Sequence, residues 1–100
     1  MKVLNAGYKY ELQNLDNKDT GQVIQFIEKI PVGAEFVTVN DGTTNEELAK
    51  VLINRIEFLN NKAPCRENSL AVTKFQEGLM WLEARTKERQ ARGVENTPAK

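Results

Sequence analysis

Apolar and polar residues alternate at the start of the chain. Leu4, Ala6, Tyr8, Tyr10 and Leu12 occupy every second position, the period of a strand with one buried face. The run Leu15-Asp16-Asn17-Lys18-Asp19-Thr20-Gly21 then reads as a loop. Beyond it Ile24, Phe26 and Ile30 share one face, Val23 and Ile27 take the other, and Pro31-Val32-Gly33 signals a tight turn. Phe36, Val37 and Val39 make a further short strand. The simplest arrangement is a three-stranded antiparallel meander, one edge of which needs cover.

After Asn40-Asp41-Gly42 the period changes. Thr44-Asn45-Glu46-Glu47 is a capping box, with Thr44 as N-cap and Glu47 three residues on. It predicts a helix from about Asn45 to Asn60 whose buried stripe is Leu48, Val51, Leu52, Ile56 and Leu59. Ile53 falls on the opposite side and Phe58 at the edge. Asn60-Asn61-Lys62-Ala63-Pro64 breaks the helix, and Pro64 suits the first turn of the next. That second helix runs from about Cys65 to Arg92. Leu70, Ala71, Val72, Phe75, Leu79 and Leu82 form its stripe, broadened by Met80 and Trp81. Gly78, costly in mid-helix, fits either close approach of another backbone or mere tolerance.

The expected fold is therefore α+β: an N-terminal three-stranded antiparallel meander followed by a two-helix antiparallel hairpin with a long second helix. Residues 1–42 form the β-rich part and 43–93 the hairpin, together one compact domain, with 94–100 as a flexible tail. The second helix overshoots the first, and a largely polar stretch follows Leu82. A polar helical extension needs another subunit or a ligand, or it frays.

Composition narrows the chemistry. A 100-residue chain buries roughly 60–65% of its unfolded surface and is marginal alone, so self-association would add needed burial. Histidine is absent, which removes His-based acid–base catalysis and His metal ligands. One cysteine, Cys65, allows neither an internal disulfide nor a cysteine zinc site. No apolar run is long enough to span a membrane, and residues 1–20 lack a basic-then-apolar leader pattern. These features point to a reducing, cytoplasmic setting. The formal net charge is +0, which argues against a DNA binder. No glycine-rich phosphate loop and no paired carboxylates in an apolar setting mark an enzyme.

Three features carry candidate binding chemistry. Arg85, Arg89 and Arg92 fall at i, i+4 and i+7, so their guanidiniums share a helical face suited to phosphate oxygens. The same pattern fits a solvated face with Glu88–Arg92 pairing, the reading the residues by themselves favour. Arg66 and Asn68 stand in the first turn of the second helix, where N–H groups favour anions, although ordinary capping by Asn68 or Ser69 explains them as well. Phe58 fits either base stacking or core packing. Asn68 and Arg85 are 17 positions apart on one helix, about 25 Å, too far for a single nucleotide-sized ligand. A ligand touching both ends must be held by two chains, and a two-fold dimer would make two such sites.

The run from Cys65 to Leu82, CRENSLAVTKFQEGLMWL, resembles the helical-hairpin domain shared by two kinds of phage anti-defence sponge. One kind counters Thoeris immunity and the other counters cyclic-oligonucleotide (CBASS) immunity. The segment Asn40–Glu47, the stretch Arg85–Gly93 and the β-rich first third resemble the Thoeris branch more closely. The resemblance implies a non-catalytic protein of the infected host's cytoplasm, without metal or cofactor. It would sequester a cyclic ADP-ribose isomer made by bacterial TIR enzymes and keep it intact. It further implies a homodimer, or a hexamer built as a trimer of dimers, with separate sites in some members for cyclic di- or trinucleotides. Matched by position, the ligand residues would be Phe58, Asn68, Arg85 and Arg89, with Arg66 and Arg92 as further candidates. The family's basic contact from the β-rich part has no counterpart; that region holds Gly33. The competing expectation is a helical oligomerisation or protein-binding inhibitor module with no nucleotide ligand.

Overall fold

The computed structural model describes residues 1–100. The element order is β1 (Lys2–Asn5), β2 (Lys9–Gln13), β3 (Gly21–Gln25), β4 (Glu28–Val32), β5 (Glu35–Asn40), α1 (Asn45–Lys62) and α2 (Arg66–Ala91). The expected α+β class is present: antiparallel strands first, then a helical hairpin with the longer helix second. The chain divides into two compact units. One is Met1–Thr44 with Asn96–Pro98, and the other is Asn45–Glu95 with Ala99–Lys100.

In the first unit β1, β2 and β3 form an antiparallel meander, and β4 and β5 form a separate hairpin. The strands differ from the sequence expectation in two places. The run from Leu4 to Leu12 is a hairpin rather than a single strand, because the chain turns at Gly7, where φ is +82°. A left-handed φ costs glycine little, so one glycine inside an alternating pattern was enough to turn it. The segment expected as a second strand splits at Phe26-Ile27, where Thr43 comes alongside: Ile27 N–H donates to the Thr43 carbonyl at 2.9 Å, and Thr43 N–H to the Gln25 carbonyl at 2.9 Å, while Phe26 N–H donates to the Tyr8 carbonyl at 2.7 Å. Gly42 makes this approach possible, since a Cβ there would sit 2.3 Å from the Gln25 oxygen. The Phe26 ring meets Tyr10 edge-on, with centroids 5.9 Å apart.

Between β4 and β5 the turn is Gly33-Ala34, with Gly33 at φ +64°, the sign that two-residue hairpin turns demand. Asn96 borders this hairpin. Phe36 N–H donates to the Asn96 carbonyl at 3.0 Å, and Lys29 Nζ donates to Asn96 Oδ1 at 2.6 Å.

In the second unit α1 and α2 pack as a hairpin and bury one narrow stripe each. On α1 the stripe is Ala49, Ile53, Ile56 and Asn60; on α2 it is Val72, Leu79, Leu82, Thr86 and Arg89. Ile53 and Val72 are its buried apolar members. Ile53 was expected on the outer side. Instead it lies inward, while Val51, Leu52 and Leu59 of the expected stripe are exposed. The reason is that α1 carries apolar residues on two faces. The face on α2 takes Ile53, and the other stays open, with Val51 64% exposed. On α2, Leu70 and Phe75 are likewise more exposed than expected, and Trp81 is 64% exposed. Gly78 has no atom close enough to explain it, so the backbone approach considered for it does not occur within the chain.

The helix ends are chemically defined. Thr44 stands at the N-cap position of α1, and Glu46 and Glu47 place negative charge on its first turn. The connection to α2 is fixed by Asn60, whose Oδ1 accepts from Cys65 N–H at 2.9 Å and whose Nδ2 donates to Ser69 Oγ at 3.1 Å. Cys65 is the N-cap of α2, its Sγ accepting from Asn68 N–H, so Pro64 precedes the cap rather than opening the helix. At the far end Gly93 N–H donates to the Gln90 carbonyl and Val94 N–H to the Arg89 carbonyl, both at 3.0 Å. With Gly93 at φ +73°, this is a Schellman cap.

Candidate ligand-binding site

The candidate residues lie at the two ends of the helical hairpin. Phe58 and Asn68 stand near the α1–α2 turn. Arg85 and Arg89 stand on the last turns of α2, and Arg92 is its C-cap. The 17 positions between Asn68 and Arg85 are continuous α-helix, so the separation of about 25 Å holds within one chain. No single copy brings these two groups together.

Phe58 is not a core residue. It is 52% exposed, and Lys62 Nζ lies 4.4 Å from its ring centroid, a cation–π contact. The ring lines an open groove of about 450 Å³ on the outer side of α1, together with Glu47, Lys50, Val51, Asn54 and Arg55. Arg55 and Lys62 escaped the sequence reading, although their i−3 and i+4 spacing from Phe58 was the available signal. Asn68 is not the helix cap either. Cys65 holds that place, which leaves the half-buried Asn68 carboxamide without capping duty. Arg66 is exposed in the same first turn.

The arginines divide sharply by environment. Arg85 is exposed and makes no hydrogen bond or ion pair within the chain. Arg92 pairs with the Glu88 carboxylate one turn back, Nη2 donating to Oε2 at 3.1 Å, and Nη2 also donates to the Lys100 carbonyl at 2.5 Å. Arg89 is only 5% exposed, the one charged side chain buried in the protein. Its Nη2 donates to the Val94 carbonyl at 2.9 Å, its Nη1 donates to the Ala99 carbonyl, and its Nε lies 3.4 Å from Glu95 Oε2. The residues after α2, expected as a flexible tail, thus supply oxygens to Arg89 in this structure. They also explain how the polar end of α2 stays helical, because Arg89 is packed there in place of an apolar side chain.

A small β-rich segment is thus followed by a helical hairpin with an exposed aromatic at one end and arginines at the other. The sequence profile of the Acb2/Tad1 hairpin domain matches residues 22–87, and the chain belongs to that family. It is similar to a protein of Bacillus phage SBSphiJ7 named Thoeris anti-defense 1, with 49% identity over 61 residues. The match covers 60% of this chain and 43% of that relative, so it spans less than half of the relative's length. No helix is long and apolar enough to cross a membrane, and no cluster of acidic or sulfur side chains could hold a metal ion.

Proposed function

We propose that this protein is a phage anti-defence sponge: it binds a cyclic ADP-ribose isomer, the TIR-derived signal of Thoeris immunity, and withholds it without degrading it. The observation that carries this reading is the hairpin itself, joined to 49% identity with a Thoeris anti-defence protein. The ligand residues would be Phe58, Asn68, Arg85 and Arg89. Arg85 supplies an unpaired guanidinium for the phosphates, and Phe58 an exposed ring for a base.

The working form is a homodimer. Its two copies run α2 antiparallel, so that the Phe58–Asn68 end of one meets the Arg85–Arg89 end of the other, twice. On α2, Gly78, Trp81 and Arg85 fall on one exposed stripe, with a glycine where a second helix could come close and a tryptophan to be covered. A hexamer formed from three such dimers would cover further apolar surface, such as Val51 on α1. Separate sites for cyclic di- or trinucleotides would belong to that larger assembly.

The open apolar faces equally suit the alternative, a protein-binding inhibitor with no nucleotide ligand. Melting the protein with and without the product of a TIR enzyme separates the two. A ligand present at 100 times its Kd stabilises the folded state by about 2.7 kcal/mol. A sponge will show the corresponding rise in Tm, and a module that binds only protein will show none.

A further inference from the structure

We propose that residues 94–100 form an internal latch on Arg89, filling its guanidinium with the chain's own oxygens until an anionic ligand displaces them. This rests on the reading above, in which Arg89 is a ligand contact.

The latch follows from the cap of α2. Gly93, at φ +73°, reverses the chain, and the 6→1 bond from Val94 N–H to the Arg89 carbonyl fixes the path of the next residues. In such caps the residue three places before the end commonly packs an apolar side chain on the residue after the glycine. Here that position is Arg89. The returning chain presents the Val94 and Ala99 carbonyls to its two Nη atoms and the Glu95 carboxylate to Nε. Oxygens on several edges of the planar guanidinium are what a diphosphate offers as well. The same side chain is therefore preorganised for an anion and already occupied.

The competition has a definite sign. The Val94 and Ala99 carbonyls are neutral, and Glu95 is 42% exposed, so its charge is partly screened. A diphosphate carries full charges and makes stronger hydrogen bonds to the same donors. The ligand therefore wins, at an affinity reduced by the fraction of molecules in which the latch is open. Arg85, one turn away and unpaired, is free to make the first contact.

The test is calorimetry with a purified cyclic ADP-ribose isomer on three proteins: the 100-residue chain, the chain ended at Gly93, and the Glu95→Gln variant. Circular dichroism checks the helix in each, and Glu95→Gln decides if the shortened chain is unfolded. The latch predicts roughly tenfold tighter binding for the shortened chain and a smaller gain for Glu95→Gln. It also predicts faster amide exchange over residues 94–100 of the parent when ligand is bound. Equal affinity in all three, with unchanged exchange, would overturn the latch and leave the sponge standing. Weaker binding by folded variants would overturn it too, making the segment part of the site. Absence of binding in every protein would overturn the proposed function, and the latch as its regulator with it.

Discussion

Arg85 and Arg89 stand one turn apart on α2, yet Arg85 lies in solvent while Arg89 is 5% exposed beneath the chain that follows the helix. Spacing makes them a pair, and burial gives them different duties. Arg85→Ala should leave the circular dichroism and Tm unchanged. It should weaken binding of the cyclic ADP-ribose isomer ten- to a hundredfold, since a charge-assisted hydrogen bond contributes about 1.5–3 kcal/mol. Calorimetry and a melting curve check both halves.

Arg89→Ala should behave differently. It strands Glu95 and two carbonyls and opens a gap at the end of α2, so a stability loss of about 1–3 kcal/mol should accompany any loss of binding. Urea titration measures the first and calorimetry the second. A fully stable Arg89→Ala protein would mean that the following segment contributes nothing to the fold.

Phe58→Ala should hardly alter stability, because the ring is half in solvent and its contact with Lys62 is an exposed cation–π pair. Its loss should weaken ligand binding by about 1–3 kcal/mol through stacking. The reverse result, a large stability loss with unchanged affinity, would return Phe58 to a packing role.

The two apolar faces of α1 give a paired prediction. Ile53→Ala removes one of two buried apolar side chains and should destabilise the hairpin by about 2–3 kcal/mol. Val51→Ala, at an exposed position, should stay within about 0.5 kcal/mol in a dissociated chain. On α2, Trp81→Glu should shift the mass by light scattering towards a single chain if the tryptophan stripe is the dimer interface. An unchanged mass would remove the two-chain site.

Much of the hairpin was legible in the sequence. The Thr44-to-Glu47 box and the break at Asn60–Pro64 placed both helices within a residue or two of their observed ends. The inward face of α1 was not legible, because Ile53 and the Val51-Leu52-Leu59 group are both apolar and only the position of α2 decides between them. The first strand hid a hairpin, since Gly7 interrupts the alternation without breaking it. The i, i+4, i+7 spacing of Arg85, Arg89 and Arg92 suggested one common face, but Arg85 is exposed, Arg89 is buried and Arg92 caps the helix. What periodicity could not show is that Gly93 turns the chain back onto Arg89. The signal was present as Gly93-Val94 after the last turn, but a cap motif gives the path of only two residues, not the carbonyl of Ala99 that completes the contact.

Capture without chemistry is tested by recovery of the signal. The protein is incubated with a purified cyclic ADP-ribose isomer, separated from free ligand and heat-denatured. The supernatant is then assayed for intact isomer by mass spectrometry and for activation of a Thoeris effector. The isomer should come back intact and active, in a ratio near one per chain. Breakdown products in its place would show an enzyme, and an empty supernatant would show that the hairpin does not hold this ligand.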